Sequence, residues 1–352
     1  MPALRHVITN ISVSLISLLL ALVLCEGGIR LLQHTEILPI YNRKSIDKGD
    51  TPYKHLNAKL IRSTNPVLYM EYDPQDANIN NAGHRGPDFQ LAKTPGVLRI
   101  AILGDSVAYG YSVPYEQTFA ALLQDALNKD QQHPVEIYNF SVSGYSTVAE
   151  LELYRTKVHL YQPDIVLLAY VLNDPLPAAF VVQSVGSAKK QTEAFKWVSR
   201  YSQFAAWAFL RWKTLKQPFE SWQNYNTLYA LPDSWNPTTQ ALTSLAQETH
   251  KNGAQLGVVI FPLLLPFNDY PFQAIHAKIA SALSTEGIQH IDLLTAFSQQ
   301  DYLSLRPHPN DDTHPNAKGH AIATTQILPF VQQLINANAE SKKLKAADER
   351  HP

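Results

Sequence analysis

The sequence predicts an α/β protein: a three-layer sandwich around a central parallel sheet, with an N-terminal transmembrane helix and a helical insertion. From residue 98 onward, short apolar runs alternate with segments of helical periodicity, which is typical of parallel strands joined by right-handed crossovers. The strands are predicted at 98–103, 135–140, 164–171, 256–262 and 288–293, and the helices at 117–129, 147–161, 237–252, 272–286 and 315–336. In such a sheet, ligands bind beyond the carboxyl ends of the strands.

The composition excludes several classes of protein. The chain has 352 residues, of which 45% are hydrophobic and 17% charged, so it can bury a substantial core and is not a disordered protein. Its formal net charge of -1 gives no electrostatic reason to expect a nucleic acid as partner. The single cysteine, Cys25, excludes an intrachain disulfide and a cysteine-based zinc cluster.

The N-terminal segment predicts a membrane anchor over residues 1–30. Val7–Cys25 is an uncharged run of 19 residues, close to the length that a helix needs to cross a bilayer. The run is longer than the apolar part of most cleavable signals, and Leu24 is not the small residue expected before a cleavage or lipid-attachment site. Arg5 and the free amino terminus precede the run, and Glu26 and Arg30 follow it, a weak positive-inside bias that places the bulk of the chain outside. A cleaved signal and a buried core helix are the alternatives.

Differences in composition divide the rest of the chain into a lead-in, a main domain with an insertion, and a tail. Residues 31–95 are polar and contain prolines, which predicts a linker and an irregular lead-in to the main domain at 96–336. Segment 175–235 interrupts the alternation, and we expect a helical insertion over one edge of the sheet, either a substrate lid or an aromatic packing element. It contains all five tryptophans, Trp197, Trp207, Trp212, Trp222 and Trp235. Residues 337–352 are rich in charge, which predicts a disordered tail.

A candidate nucleophile follows the first predicted strand. The strand runs into Gly104-Asp105-Ser106, where a tight turn into a helix can present the Ser106 hydroxyl above the sheet. Alone, this tripeptide is weak evidence, because Asp and Ser are also ordinary turn residues and helix caps. The far end of the chain strengthens the evidence for a catalytic serine, because Asp311 and His314 lie three residues apart just before a predicted helix.

These residues fit nucleophilic catalysis. A serine hydroxyl needs a neighbouring base and a third group that orients this base, and Ser106, His314 and Asp311 supply the three roles. Asp312 is the competing carboxylate, which we expect instead to cap the following helix. A metal site formed by Asp311, Asp312, His308 and His314 is the alternative, although further histidines at ligand spacing are missing.

Candidate oxyanion donors follow the next two strands. Gly144, in the segment SVSGYS, allows close backbone approach and can offer its N–H, and the side-chain amide of Asn173, in the segment LND, can also donate. Individually, these are an ordinary loop glycine and a turn residue. Together they converge with Ser106, because the carboxyl ends of parallel strands meet at one edge of the sheet.

These four segments, in this order, resemble the blocks of the SGNH hydrolases, the GDSL esterase/lipase superfamily. The resemblance covers about residues 98–330, and the lead-in NAGHRGPDF is similar to a segment of membrane-anchored bacterial members. One departure is Val171, where the family often has glycine two residues before the block-three asparagine. The resemblance implies a flavodoxin-like central sheet and no metal or organic cofactor.

The resemblance also implies roles for the residues and a function. Ser106 would be the nucleophile, His314 the general base and then acid, and Asp311 its orienting partner. The oxyanion hole would comprise the Ser106 and Gly144 N–H groups and the Asn173 amide.

We therefore expect a serine esterase in the cytoplasmic (inner) membrane, single-pass, with its catalytic domain on the periplasmic side. Its substrate would be an acetyl or other short-chain O-acyl ester of an envelope carbohydrate. One alternative is an O-acyltransferase that modifies an extracytoplasmic polysaccharide, with a membrane acyl-donor protein as partner. A further alternative is a non-catalytic carbohydrate-binding or assembly protein.

Overall fold

The computed structural model describes residues 2–35, 56–130, 134–176, 198–208, 223–309 and 311–348. They belong to two compact units. The first contains residues 2–35 and 198–208, and the second contains all the other described residues.

The first unit is built around helix α1 (Pro2–His34). Its segment Ser12–His34 is long and apolar enough to cross a membrane, with a mean hydropathy of 2.1. Most of its described apolar side chains, from Val13 to Leu24, are exposed, as expected of a surface that faces lipid. The structure thus has the predicted N-terminal apolar helix, which is consistent with a membrane span or a signal sequence.

Glu26 attaches segment 198–208 to the C-terminal part of α1. Its carboxylate accepts hydrogen bonds from the backbone N–H groups of Gln203 at 3.1 Å and Phe204 at 2.9 Å, and from Ser202 Oγ at 2.8 Å. Arg30, one turn further along α1, donates to the same carboxylate at 2.7 Å. Part of the predicted aromatic insertion therefore belongs to the same compact unit as α1.

The second unit contains the predicted parallel sheet. Two short antiparallel strands, β1 (Leu60–Arg62) and β2 (Met70–Tyr72), precede it. The five strands of the main sheet are β3 (Leu98–Gly104), β4 (Val135–Asn139), β5 (Ile165–Val171), β6 (Gln255–Phe261) and β7 (Gln289–Asp292). All pairs are parallel, in the order β4-β3-β5-β6-β7. This is the flavodoxin-like order, so the predicted fold class is confirmed.

Helices cover both faces of this sheet. They are α2 (Ser106–Tyr109), α3 (Phe119–Asp130), α4 (Thr147–Thr156), α5 (Gln223–Ala230), α6 (Pro232–Lys251), α7 (Gln273–Thr285), α8 (Leu294–Phe297) and α9 (Ala317–Asp348). Helices α3 and α9 pack together on one face, and α4 and α6 on the other. The central strand β5 is buried along its whole length, which explains why its sequence is a continuous apolar run rather than an alternating one.

The tail prediction is wrong for residues 337–348, because α9 continues through them as a helix. Asp164, just before β5, holds this end of α9. Its backbone carbonyl accepts a hydrogen bond from Asn338 Nδ2 at 3.1 Å, and its carboxylate accepts one from Lys342 Nζ at 2.6 Å. The same carboxylate accepts from Arg99 N at 2.8 Å and from Lys93 Nζ. One of the charged residues that suggested disorder, Lys342, is thus a partner of a buried acid.

Residues 56–95, the described part of the predicted lead-in in the second unit, have little regular structure apart from β1 and β2, yet they pack into the core. Leu68, Tyr72 and Phe89 are buried in the core of the second unit. Arg85 is buried as well, and its guanidinium donates to the carbonyl of Gly110 at 2.6 Å and to that of Val113 at 2.6 Å. A segment without periodicity therefore packs through single side chains rather than through an amphipathic element.

Candidate active site

Ser106 lies in a tight turn between β3 and α2. Gly104 ends the strand with φ 155°, and a Cβ there would lie 2.7 Å from the Cβ of Ala108, so the turn requires glycine. The Asp105 side chain caps α2 by accepting a hydrogen bond from Val107 N at 2.8 Å. Ser106 is the first residue of α2 and stands at the carboxyl end of a central strand.

Ser106, His314 and Asp311 lie in one hydrogen-bonded chain. His314 Nε2 is 2.9 Å from Ser106 Oγ, and His314 Nδ1 is 2.9 Å from both carboxylate oxygens of Asp311. Asp311 Oδ1 also accepts from the backbone N–H of His314 at 3.0 Å, which fixes the carboxylate relative to the imidazole. The structure therefore brings together the three residues that the sequence predicts for nucleophilic catalysis.

Electrostatics favours the charged form of Asp311. Burial alone would raise the pKa of this carboxyl, but the hydrogen bonds and the charge of His314 outweigh burial, so the pKa lies below its usual value. An ionised carboxylate at Nδ1 keeps the proton on that nitrogen, which leaves Nε2 free to accept the proton of Ser106.

Gly144 lies in a turn just after β4 and adopts φ 85°, a conformation that favours glycine. Both neighbours of Gly144 are held by the lead-in. Ser143 N donates to Tyr72 Oη at 2.9 Å, and Tyr145 Oη donates to the carbonyl of Met70 at 2.8 Å. The turn that carries the first candidate oxyanion donor is thus fixed by β2, a contact that the sequence analysis missed.

Asn173 lies just after β5 and contacts the Ser106 turn. Its Nδ2 donates to Asp105 Oδ2 at 3.0 Å, while its Oδ1 has no hydrogen-bond partner among the described residues. The next residue, Asp174, accepts from Thr147 Oγ1 at 2.7 Å and from Val171 N at 3.1 Å, which closes the turn. Val171, the departure from the family pattern, is fully buried at the end of β5.

Residues 102–322 match the family model of the GDSL-like lipase/acylhydrolase family, more than half of the chain. The chain belongs to this family. The resemblance of the four sequence blocks to this family is therefore confirmed.

Individual relatives of this GDSL-like chain are more distant. An arylesterase from Vibrio mimicus is 36% identical over 78 residues, which are 22% of this chain and 38% of the arylesterase. The chain thus matches well under two thirds of that relative. The crystal structure of TesA has a TM-score of 0.43 at 17% identity, over 67% of this chain and 99% of TesA. Axe2, an acetylxylan esterase from Geobacillus stearothermophilus, has a TM-score of 0.43 at 14% identity, over 66% of this chain and 93% of Axe2.

The structure distinguishes the two candidate carboxylates of this GDSL-like site. Asp312 does not cap the helix, contrary to our expectation. Its Oδ1 accepts from Thr313 Oγ1 at 3.3 Å, and the amino end of α9 is capped by Asn316, which accepts from Gly319 N at 3.2 Å. Asn316 can do so because it directly precedes α9, whereas Asp312 lies a full turn earlier. In the part of the chain that the structure describes, no three His, Cys, Asp or Glu side chains are grouped as for a metal ion.

Two buried acids behind the site were missed by the sequence analysis. Asp174 and Glu150 are fully buried, and burial raises the pKa of both well above the usual range, with the charge of Asp174 adding to the effect on Glu150. Neither carboxylate oxygen of Glu150 has a hydrogen-bond partner among the described residues. Only the tertiary structure places these acids together, because they come from α4 and from the loop after β5.

Most of the aromatic insertion lies outside the described residues, including 177–197 and 209–222. Two of its tryptophans are described. Trp235 packs on Tyr229 with ring centroids 5.0 Å apart, and Lys278 Nζ lies 5.0 Å from its ring centroid. Trp207, in the first unit, stacks on Phe204 at 5.9 Å. All three contacts are between side chains of the protein.

Proposed function

We propose that the chain is a serine ester hydrolase that works through an acyl-enzyme on Ser106. The observation that carries this proposal is the hydrogen-bonded chain from Ser106 Oγ through His314 to Asp311, with 2.9 Å at each link. It lies at the carboxyl edge of the sheet, where Gly144 and Asn173 also lie. A nucleophile, its base, an orienting acid and oxyanion donors are the parts that acyl transfer needs.

The first half-reaction forms the acyl-enzyme. His314 Nε2 takes the proton of Ser106 Oγ as this oxygen attacks the ester carbonyl carbon. The carbonyl oxygen becomes negatively charged and accepts hydrogen bonds from the Ser106 and Gly144 N–H groups and from Asn173 Nδ2. The tetrahedral intermediate then collapses, the bond to the alcohol oxygen breaks, and His314 returns the proton to the leaving alkoxide.

The second half-reaction releases the acyl group. A water molecule gives a proton to His314 Nε2 and attacks the acyl carbonyl, and the same donors hold the oxyanion. Collapse breaks the bond to Ser106 Oγ, which recovers its proton from His314, and the carboxylic acid leaves. Each step moves one proton between an oxygen and His314, so no cofactor is required.

We further propose a cellular setting and a substrate class. Helix α1 anchors the chain in the cytoplasmic membrane in a single pass, and the catalytic residues lie on the periplasmic side, because Arg5 and the amino terminus favour the cytoplasmic side for the start of the helix. The substrates there are O-acyl esters, of which acylated envelope carbohydrates are the favoured class. The exposed apolar segment of α1 supports the anchor.

Hydrolysis of p-nitrophenyl acetate by the full-length chain in detergent tests the reaction. We expect Ser106→Ala to abolish turnover, and Ser298→Ala, which changes an exposed serine with a hydrogen bond to Thr295 O, to leave turnover unchanged. A fluorophosphonate should label the wild type and Ser298→Ala but not Ser106→Ala. Full activity of Ser106→Ala would refute the mechanism.

A hydrolase and a transferase differ in the molecule that accepts the acyl group from the acyl-enzyme, which is water for the hydrolase and a sugar hydroxyl for the transferase. Both reactions share the acyl-enzyme, so adding an oligosaccharide to the ester assay and analysing the products by mass spectrometry distinguishes them. Free acid as the main product supports the hydrolase, whereas acylated oligosaccharide as the main product supports the O-acyltransferase. A folded chain that neither turns over esters nor reacts with the fluorophosphonate would support a binding or assembly protein.

A further inference from the structure

The N-terminal helix places Glu26 at a defined depth in a bilayer. The uncharged run at residues 7–25 has 19 residues, which extend about 28 Å along a helix at 1.5 Å per residue. This length matches the hydrocarbon core of a bilayer, which is about 30 Å thick. In the proposed anchor, Glu26 is the first charged residue after the run and therefore lies at one boundary of that core.

Segment 198–208 is bound to α1 just beyond this boundary. Glu26 accepts hydrogen bonds from the segment, and Gln33 Nε2 donates to Gln203 Oε1 at 2.9 Å. From Glu26 to Gln33, α1 rises about 10 Å, which is comparable with the thickness of about 5–8 Å of one headgroup layer. These contacts therefore lie in the layer of lipid headgroups rather than in the hydrocarbon core.

The backbone of the segment is satisfied within the protein where its helix is interrupted. The segment has two helical parts, and Ser202 between them is not helical. The N–H groups that begin the second part have no partners within the helix. Glu26 accepts from the first two, Gln203 N and Phe204 N, and Ser202 Oγ accepts from the third, Ala205 N, at 2.9 Å. Backbone that is satisfied in this way can enter lipid, where water is not available to replace a missing partner.

The segment also carries aromatic side chains at its surface. Tyr201 is 65% exposed, and the half-buried Trp207 stacks on Phe204. Tyr and Trp are enriched at the interface between membrane and water, because their rings are apolar while the O–H or N–H group stays hydrated. Arg200, which precedes Tyr201, is exposed as well, and a positive charge there suits the phosphates of lipid headgroups.

A lipid surface fits all of these features. We propose that segment 198–208 lies in the interface between the bilayer and water, where its aromatic side chains contact lipid headgroups and give the chain a second attachment to the membrane. This proposal rests on the proposed membrane anchor. Of the two interpretations of the insertion, a substrate lid or an aromatic packing element, neither then applies to this segment. Glu26 joins the two attachments, because it belongs to α1 and holds the segment.

Quenching of a fluorescent dye by spin-labelled lipids tests the position of the segment. The full-length chain is placed in vesicles of phosphatidylethanolamine and phosphatidylglycerol, with the dye on a single cysteine. Tyr201→Cys, in a Cys25→Ser background, puts the dye on the segment. Spin labels near the headgroup should quench it at least about twofold more than labels near the end of the acyl chain, because interfacial segments lie only about 5–10 Å deep. Arg200→Cys, at the neighbouring exposed position, should give the same result.

Two further labelling sites keep the outcomes distinct. Cys25 is exposed and directly precedes Glu26, so a dye on this natural cysteine reports whether α1 enters the bilayer. Ser284→Cys, in the Cys25→Ser background, puts the dye at an exposed position on α7. This site has no proposed contact with lipid and gives the baseline. Far-UV circular dichroism shows that each variant is folded.

Glu26→Ala, combined with Tyr201→Cys and Cys25→Ser, tests the link between the segment and α1. The substitution leaves two backbone N–H groups without their acceptor, so quenching at position 201 should fall at least about twofold. Glu286→Ala removes an exposed acid at the end of α7 and should leave this quenching unchanged. Unchanged quenching in Glu26→Ala would overturn the role of Glu26 in the attachment.

Strong quenching at Cys25, with quenching at position 201 no greater than at position 284, would overturn the second attachment and leave the anchor intact. Stronger quenching at position 201 by the deep label than by the shallow one would also overturn it, because the segment would then lie in the hydrocarbon core. Absence of quenching at Cys25 would overturn the proposed anchor, and the interfacial segment with it.

Discussion

Removal of the Asn173 side chain tests the oxyanion site most directly. Asn173 Nδ2 carries two hydrogens, and one of them is donated to Asp105 Oδ2 at 3.0 Å. This bond fixes the amide and leaves the second hydrogen for the oxyanion. Asn173→Ala removes one donor to the developing charge.

The expected loss follows from this count of donors. Removal of one oxyanion donor lowers kcat by about 10²–10³, or about 2.7–4 kcal/mol. The Ser106 and Gly144 N–H groups remain, so turnover should persist well above the level of Ser106→Ala. KM should change little, because the lost hydrogen bond strengthens only as charge develops in the transition state.

Steady-state hydrolysis of a p-nitrophenyl ester by the full-length chain gives both constants. Asn252→Ala is the matched control, since it removes an amide hydrogen bond of 2.9 Å, to Tyr154 Oη, at the opposite edge of the sheet. Fluorophosphonate labelling measures the fraction of folded sites in both variants. A kcat within threefold of wild type for Asn173→Ala, at equal labelling, would refute the assignment of Asn173 as a donor.

Three other substitutions test the roles of acids. Asp311→Asn should lower kcat by about 10⁴ without changing the melting temperature greatly, because His314 loses the partner that fixes its tautomer; unchanged kcat would point to another carboxylate. Glu150→Gln should raise the melting temperature more at about pH 8 than at about pH 5. Burial raises the pKa of Glu150 in the folded state. The stability that the protonated carboxyl contributes is therefore present at low pH and is lost as the pH rises through that pKa. An equal shift at both pH values would contradict this account. Asp164→Ala should cost about 2 kcal/mol of unfolding free energy with kcat unchanged, as chemical denaturation and the ester assay can check. The substitution leaves the buried Arg99 N–H without its acceptor and removes the carboxylate partner of the Lys93 ammonium.

The sequence predicted the sheet and the four site segments because both depend on local patterns. Alternating apolar and helical segments predict parallel strands, and a parallel sheet brings all its carboxyl ends to one edge. Ser106, Gly144 and Asn173 could therefore be assigned to one site without any knowledge of distances. The sequence alone does not decide between Asp311 and Asp312, because only the backbone turn before α9 determines which carboxylate faces His314.

Contacts made by single side chains could not be predicted in this way. Tyr72 holds the Gly144 turn from a segment without periodicity, and Asp164 holds Lys342 at the far end of α9, which the composition suggested to be disordered. Glu150 has no polar partner among the described residues, and no pattern in the sequence indicates its burial. Each of these contacts joins residues that are distant in the chain, so no local pattern marks it.

The distance along the chain between the proposed nucleophile and its proposed base has a consequence for the order of synthesis. Ser106 and His314 are 208 residues apart, and the base lies immediately before the last helix. A chain that emerges from its amino terminus therefore exposes its serine long before the imidazole that activates it. Until His314 has emerged and α9 has packed, the hydroxyl is an ordinary, unreactive alcohol, so the proposed ester hydrolysis requires that segment to be folded.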